Sequence, residues 1–423
     1  MNHCTVLYFE LRNKYRLKPA AAITAAATLI INGNPPGGSW VTRNYCNKSW
    51  NCNKFKPMRK GTPLIIILTM IFFGCEPLVT TFDDIEEAVL YKAKNISGEG
   101  VVPQNSKIEV MAWNIRFAIG RLPFFGDSCG KRTIFTEDEV MDALDLIAAK
   151  VNELDPDIIL FQEIDRESKR SAYIDQVQWL LDHTDLNYGA YASMWQAQVI
   201  PSDGIGGIDA GNAILSKWEI ESAERIQLPL RGDQDALTLL FYLRRNVLKA
   251  KIAIPGQDDF YAVNTHSTAF ATDDTKQKHI DTFYETLQDI DENGYVFISG
   301  GDLNSIPPGA DSTDFCMEDM CSAESFHTDT DGGPHREGSY FNNFVNEPML
   351  LEPLYNAYTP AIPHQDAVTS SHMTHSTDGS AQWDRKLDYI FTNLSVVENS
   401  GHTHQNTLML SDHAPVTATV VLP

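Results

Sequence analysis

Six short polar groups recur at the ends of apolar runs: Trp113-Asn114, Gln162-Glu163, Asn264-Thr265-His266, Gly301-Asp302-Leu303-Asn304, Leu387-Asp388-Tyr389 and Ser411-Asp412-His413. Carboxylates hold hard divalent cations through oxygen, and imidazoles exchange protons near neutral pH. Together these side chains are the ones that metal-assisted and acid–base chemistry use. Taken singly, a carboxylate after a strand is most often a cap, and a lone histidine is most often structural. Six such groups in one order are far more specific.

The elements that position them alternate. Ile108 to Asn114 reads as a strand. Thr136 and Glu139 form a capping box for a helix whose apolar face carries Val140, Met141, Leu144, Ile147, Ala148, Val151 and Leu154, stopped at Asp155-Pro156. Asp157 to Gln162 is an almost continuous apolar run, as in a strand buried on both faces. Ala213 to Leu215, Val247 to Ile254, Phe260 to His266, Tyr295 to Ser299, Leu387 to Phe391 and Ala414 to Val421 are further strands, with a helix over 273–291. This interleaving predicts an α/β class, a large sheet sandwich with helices outside, and strand ends are where such folds assemble sites. Residues 305–384 show little periodicity and read as a long excursion of the functional kind.

The chain has 423 residues and a formal net charge of −23. That acidity disfavours broad non-specific duplex binding, which a local basic groove or a metal would have to overcome. Seven cysteines are too few for a disulfide scaffold. Residues 1–57 depart from the rest, with eight Lys/Arg against Glu10 alone. Over 58–75, Met58-Arg59-Lys60 precedes an apolar stretch, Leu64 to Phe73, and then Gly74-Cys75. The stretch is shorter than the ~20 residues that span a bilayer and has the form of a signal peptide. Its end resembles a bacterial lipobox, which makes Cys75 the lipidated first residue of the mature protein; an uncleaved signal anchor is the alternative. Since signal peptides start at the initiator, Met58 is the expected start and 1–57 a non-native extension; a cytoplasmic tail is the rival reading. Residues 76–106 read as a tether, and 107–423 as the catalytic domain.

The ordered polar groups resemble the endonuclease/exonuclease/phosphatase superfamily, which includes pancreatic-type DNases, AP endonucleases, neutral sphingomyelinases and inositol-polyphosphate 5-phosphatases. The resemblance covers residues 107–423, and its most specific parts are Gly301-Asp302-Leu303-Asn304 and Ser411-Asp412-His413. It implies a four-layer α/β sandwich of two packed mixed sheets and hydrolysis of phosphate esters with Mg²⁺ or Mn²⁺. Glu163 would be the principal metal ligand, with Asp412 a second ligand and Asn114 beside them. Asp302 would position the attacking water, and Asn304 would hold that water or a phosphoryl oxygen. His413, oriented by Asp388, would bond a phosphoryl oxygen. His266 would contact phosphate or protonate the leaving group. Asn212, in Gly211 to Ser216, either reaches the phosphate or is core.

Other features stay open. His372 and His375 read as a solvated loop rather than a metal pair. Cys316 and Cys321 pair or stay free, with Cys129 left over. Arg116, Arg121, Lys131, Arg132, Arg225, Arg231, Arg244, Arg245, Lys249 and Lys251 offer an anion path or ordinary surface charge. Trp195, Tyr340, Phe341, Phe344 and Trp383 stack on a base, cover an acyl chain or belong to the core. The expected protein is a monomeric, exported, membrane-anchored lipoprotein acting on a lipid headgroup, nucleotide or nucleic-acid ester. A surface or secreted DNase and an inactive surface-binding lipoprotein are the alternatives.

Overall fold

Thr136 and Glu139 close the capping box: the Thr136 hydroxyl accepts from the Glu139 amide at 3.3 Å, and the Glu139 carboxylate accepts from the Thr136 amide at 2.9 Å. Helix α1 (Glu137–Leu154) therefore starts where the pattern places it, and Asp155 ends it in the left-handed conformation before Pro156. The computed structural model describes residues 79–97, 107–125, 130–200, 204–269, 271–310, 347–377 and 382–423. The chain divides into two units, Met1–Pro77 and Leu78–Pro423, and the described residues all belong to the second. Residues 1–75, with Cys75, lie outside them, as do Cys129, Cys316, Cys321, Tyr340, Phe341 and Phe344.

In chain order the strands are β1 (Ile85–Glu87), β2 (Val89–Lys92), β3 (Lys107–Asn114), β4 (Ile158–Asp165), β5 (Tyr188–Ile200), β6 (Gly204–Ser216), β7 (Ile220–Gln227), β8 (Asn246–Ile252), β9 (Phe260–His266), β10 (Val296–Asp302), β11 (Thr359–Pro360), β12 (Asp388–Thr392), β13 (Ser395–Val396), β14 (His402–Thr403) and β15 (Val416–Val421). One sheet runs β1-β7-β8-β9-β10-β12-β11 and the other β13-β15-β3-β4-β6-β5-β2, with β14 on β15. Each contains one parallel pair closed by a helical crossover: β3 and β4 through α1, and β9 and β10 through α3 (Thr275–Glu292). A second helix, α2 (Gln176–His183), follows β4.

Three apolar clusters define the layers. Val110, Leu160, Ile214, Leu248, Ala262 and Ile298 meet between the sheets. Leu144, Ile147 and Leu180 cover the outer face of the β3–β4 sheet. Ile280, Phe283 and Leu287 of α3 cover the outer face of the β9–β10 sheet. Helix, sheet, sheet, helix is the expected four-layer sandwich, with both sheets mixed.

Two expectations are corrected. Residues 76–106 are not a simple tether, because β1 pairs with β7 and β2 with β5, adding an edge strand to each sheet. The fold thus begins before Lys107. These strands are only three and four residues long and mostly exposed, so no buried-strand pattern announces them. Residues 347–377 of the excursion are also folded. Leu350, Leu351 and Leu354 join the outer core, and Glu347 forms a buried ion pair with Lys276 at 3.0 Å.

Candidate active site

Parallel pairing brings the C-terminal ends of β3, β4, β9 and β10 to one rim, so the predicted residues meet across the sheets. Asn114 Nδ2 donates to Asp302 Oδ2 at 3.1 Å, across 188 positions of sequence. Below them Gln162 Nε2 donates to Asn264 Oδ1 at 2.7 Å, and Asn264 Nδ2 donates to the carbonyls of Phe161 and Ala213. These carboxamides brace the floor of the pocket.

Backbone irregularities aim the side chains. The β4–β6 register shifts between Phe161 and Ile164, and Glu163 in that bulge takes φ 53°. Bulges re-aim side chains, and Glu163 stands partly exposed at the rim. Gly301 has φ 123°, and a Cβ there would lie 2.1 Å from the Thr265 carbonyl oxygen, so only glycine fits. Arg116, Phe117 and Ala118, just beyond Asn114, take φ 46°, 43° and 52° in succession. Left-handed backbone costs non-glycine residues roughly 1 kcal/mol each. The run is held by Arg116 Nη1 donating to Gly120 O at 2.6 Å and by Gln176 Nε2 donating to Phe117 O at 2.8 Å.

Asp302 is the centre. Its Oδ1 accepts from the Asn304 amide at 2.9 Å, while its Oδ2 lies 3.3 Å from His266 Nε2 and 3.6 Å from His413 Nε2. Burial pushes its carboxyl up to about 6, with His413 opposing and Asp388 adding to the rise. His413 Nδ1 faces Asp388 Oδ2 at 2.8 Å. Burial disfavours its imidazolium, but Asp388 and Asp302 outweigh that and hold it up at about 10. His266 moves the other way: burial, then Arg245 and His413, press it well below the ordinary value, so it is neutral. Among the described residues nothing hydrogen-bonds its Nδ1.

Asp412 lies on the other side of His413. Burial works against its anion, yet Arg116, with Nε 3.3 Å away, and His413 hold it down to about 2. The loop is fixed by Ser411 Oγ donating to Asn114 O at 2.8 Å and by Trp113 Nε1 donating to His413 O at 2.9 Å.

His375 is a correction. It is buried rather than solvated, with its ring edge-on to His413 at 4.9 Å. Backbone bonds from Thr374 to Arg385, Ser376 to Asp412 and Ala414 to Thr374 thread this loop under the site. The His-x-x-His spacing was the only sign in the sequence, and its third partner, Asp412, is distant in the chain. His372 stays partly exposed beside Thr403. The basic residues are corrected in part: Arg116 pairs with Asp412, Arg132 with Glu139, Arg231 with Asp233, Lys249 with Glu224 and Lys251 with Asp259. Trp195 and Trp383 donate their indole N–H to backbone carbonyls. Asn212 is buried with Nδ2 toward Asn246 Oδ1 at 3.2 Å.

Two triads bring ligand atoms within 4.8 Å of one another: Asp302, Asp388 and His413, and His375, Asp412 and His413. Glu163 is in neither; its Oε1 is 4.0 Å from His266 Nε2. The pocket still fits a hard divalent ion. It holds the carboxylates of Asp302 and Asp412 on either side of His413, with Glu163 at the rim 4.0 Å from His266, and among the described residues nothing hydrogen-bonds the buried Asn304 Oδ1.

Residues 111–413 match the model of the Endonuclease/Exonuclease/phosphatase family. The chain belongs to that family. Its members are metal-dependent phosphoester hydrolases, and so is this protein. No curated protein sequence matches the chain. Among solved structures, it is similar to an endonuclease/exonuclease/phosphatase from Beutenbergia cavernae at 16% identity and TM-score 0.49, covering 75% of this chain and 72% of that one. It is also similar to the human Nocturnin catalytic domain with bound sulfate, at 14% identity and TM-score 0.46, covering 79% and 97%. Truncated Caenorhabditis elegans TDP2 is similar at 16% identity and TM-score 0.42, covering 75% and 98%.

Proposed function

We propose that this family member is an exported, membrane-tethered, Mg²⁺-dependent hydrolase of phosphodiesters or phosphomonoesters. The hydrolase reading rests on one arrangement: the buried Asp302 carboxylate lies between His266 Nε2 at 3.3 Å and His413 Nε2 at 3.6 Å, and burial pushes its carboxyl up to about 6. Above that pH Asp302 is an anion that accepts a proton from water. The Asn304 amide pins Oδ1, and Oδ2, which accepts from Asn114 Nδ2 at 3.1 Å and faces His266 and His413, is the oxygen that takes the proton. His413, kept charged by Asp388, donates its Nε2 proton to a phosphoryl oxygen. His266, neutral and 3.3 Å from Asp302, is placed to contact the phosphate or, once it has taken up the proton that Asp302 removes from the water, to pass it to the leaving oxygen. Such proton transfers contribute ~10²–10⁴-fold. Glu163 and Asp412, with Asn114 beside them, would hold Mg²⁺, which neutralises phosphate charge and stabilises the leaving oxygen.

Export and tethering rest on the basic–apolar–Gly74-Cys75 pattern. Mass spectrometry of the native protein tests them: a lipid on Cys75 is expected, and an unmodified Cys75 in a soluble fraction overturns the tether. Activity is tested on bis(p-nitrophenyl) phosphate, sphingomyelin and plasmid DNA, with Mg²⁺ and with EDTA. Hydrolysis of at least one, lost in EDTA, is expected. EDTA-resistant activity, or none on any, overturns the reading. The acidic surface favours the small or lipid-type ester, and a preference for plasmid DNA would establish the DNase alternative.

A further inference from the structure

The polar floor does not stop under the pocket. It continues sideways through cross-sheet bonds: Gln162 with Asn264, then Asn212 Nδ2 to Asn246 Oδ1 at 3.2 Å, then Arg225 Nε to Ser193 O at 2.8 Å. The strand order makes this a line, β9-β8-β7 on one side and β4-β6-β5 on the other. It ends at Arg225 and Arg244.

These arginines, with Arg245, differ from five other buried or half-buried ones. Arg116, Arg166, Arg170, Arg231 and Arg385 each have a carboxylate oxygen within 4.0 Å. Among the described residues, Arg225, Arg244 and Arg245 have none, and the buried Nε of Arg245 also lacks a hydrogen-bond partner. Arg225 is 1% and Arg244 9% exposed, and Nη1 of each is buried without a hydrogen-bond partner. Arg225 is otherwise committed: it donates to Ser193 O, Gln227 Oε1 and Arg244 O, and it stacks on Phe82 at 3.9 Å. The Arg244 guanidinium makes no hydrogen bond to a described residue. Burying a cation without a partner is costly, and two adjacent ones add repulsion. Burial lowers both proton affinities, and the half-buried Glu86 offsets this only for Arg225. Yet the chain as a whole is strongly acidic. A mobile anion supplied by the substrate resolves that imbalance, and a guanidinium suits phosphate.

We propose that Arg244, backed by Arg225, is a subsite for a second phosphate of the substrate, just before β8 and so to the side of His266 at the end of the neighbouring strand β9. Arg245 is not part of it, since its Nη1 donates to the His266 carbonyl at 3.0 Å. The inference rests on the hydrolase reading and narrows it to esters carrying a second, separated phosphate. A nucleotide chain and a polyphosphorylated polyol share that chemistry.

The test compares single-phosphate and multi-phosphate esters in wild type, Arg244→Gln and Arg244→Lys, with folding checked by thermal melting. The probes are the single-phosphate TpT, the three-phosphate pTpTpT and an inositol trisphosphate. Wild type is expected to prefer a multi-phosphate probe in kcat/KM. Arg244→Gln is expected to cut that preference tenfold or more, and Arg244→Lys to restore part of it. Which probe carries the preference identifies the source. Hydrolysis with no preference, or a preference unchanged in Arg244→Gln, overturns the subsite and leaves the hydrolase reading standing. If wild type hydrolyses none of them, calorimetric binding of pTpTpT and the inositol trisphosphate decides the subsite separately. Affinity that falls tenfold in Arg244→Gln supports it, and equal affinity or no binding refutes it. If Arg244→Gln fails to fold, the same measurements on Arg244→Lys decide, with a loss of at least threefold expected.

Discussion

Asp302 at the end of β10 and Asp412 in the loop before β15 flank the same imidazolium, are both buried, and behave oppositely. Burial raises the proton affinity of each. Asp302 also faces Asp388 and settles near 6, whereas Asp412 faces Arg116 and falls to about 2. The desolvation is shared, so the neighbours decide. One carboxylate becomes a base that works near neutrality, and the other a permanent anion suited to a cation. Pairs of titratable groups driven apart in this way mark the division of labour in an active site.

The comparison breaks first at Asp302. Asp302→Asn keeps the shape and the bond to the Asn304 amide but removes the base, so kcat is expected to fall about 10³-fold with melting temperature nearly unchanged. Retained activity would move the base elsewhere. The next effect is on pH. Log(kcat/KM) of the wild type is expected to fall with unit slope below about pH 6, where Asp302 becomes protonated. A flat acid limb down to pH 4 would refute that assignment. Asp388→Asn removes the group that most favours the His413 imidazolium, so activity is expected to drop about tenfold and to fall further in mildly alkaline solution.

On the other side, Arg116→Met leaves Asp412 buried without its cation. In EDTA the variant is expected to lose about 3 kcal/mol of stability by urea titration, and Mg²⁺ is expected to recover part of it. The smallest effect, counted per pH unit, concerns stability against pH in EDTA. His413 rises from 6.5 to about 10 on folding, so over that window it holds a proton that the unfolded chain releases, while Lys386, pressed from 10.5 to about 7 by burial, works in the opposite sense. Stability from His413 is full below pH 6.5 and is lost as pH rises toward 10, by about 1 kcal/mol per pH unit. A His413→Gln variant whose stability follows pH as the wild type's does would contradict the charge assignment.

Much of this was legible beforehand, for local reasons. The apolar run through Leu160 and Phe161 specifies a strand buried on both faces and leaves Gln162-Glu163 at its end. The capping box at Thr136 sets the crossover helix that makes β3 and β4 parallel. His375, Arg116 and the β1–β2 segment were less legible. His375 lies in a stretch without period and owes its place to backbone bonds with Arg385 and Asp412. Arg116 looked like one surface charge among ten, and only burial against Asp412 distinguishes it.

By itself, then, the sequence determined which residues stand at strand ends, because side-chain alternation and helix capping act over a few neighbouring positions. Only the tertiary structure decided which carboxylate is the base, which imidazole is charged and which arginines are left uncompensated. Those properties depend on desolvation and on Coulomb interactions over a few ångströms, between groups such as Asn114 and Asp302 that lie 188 positions apart in the chain.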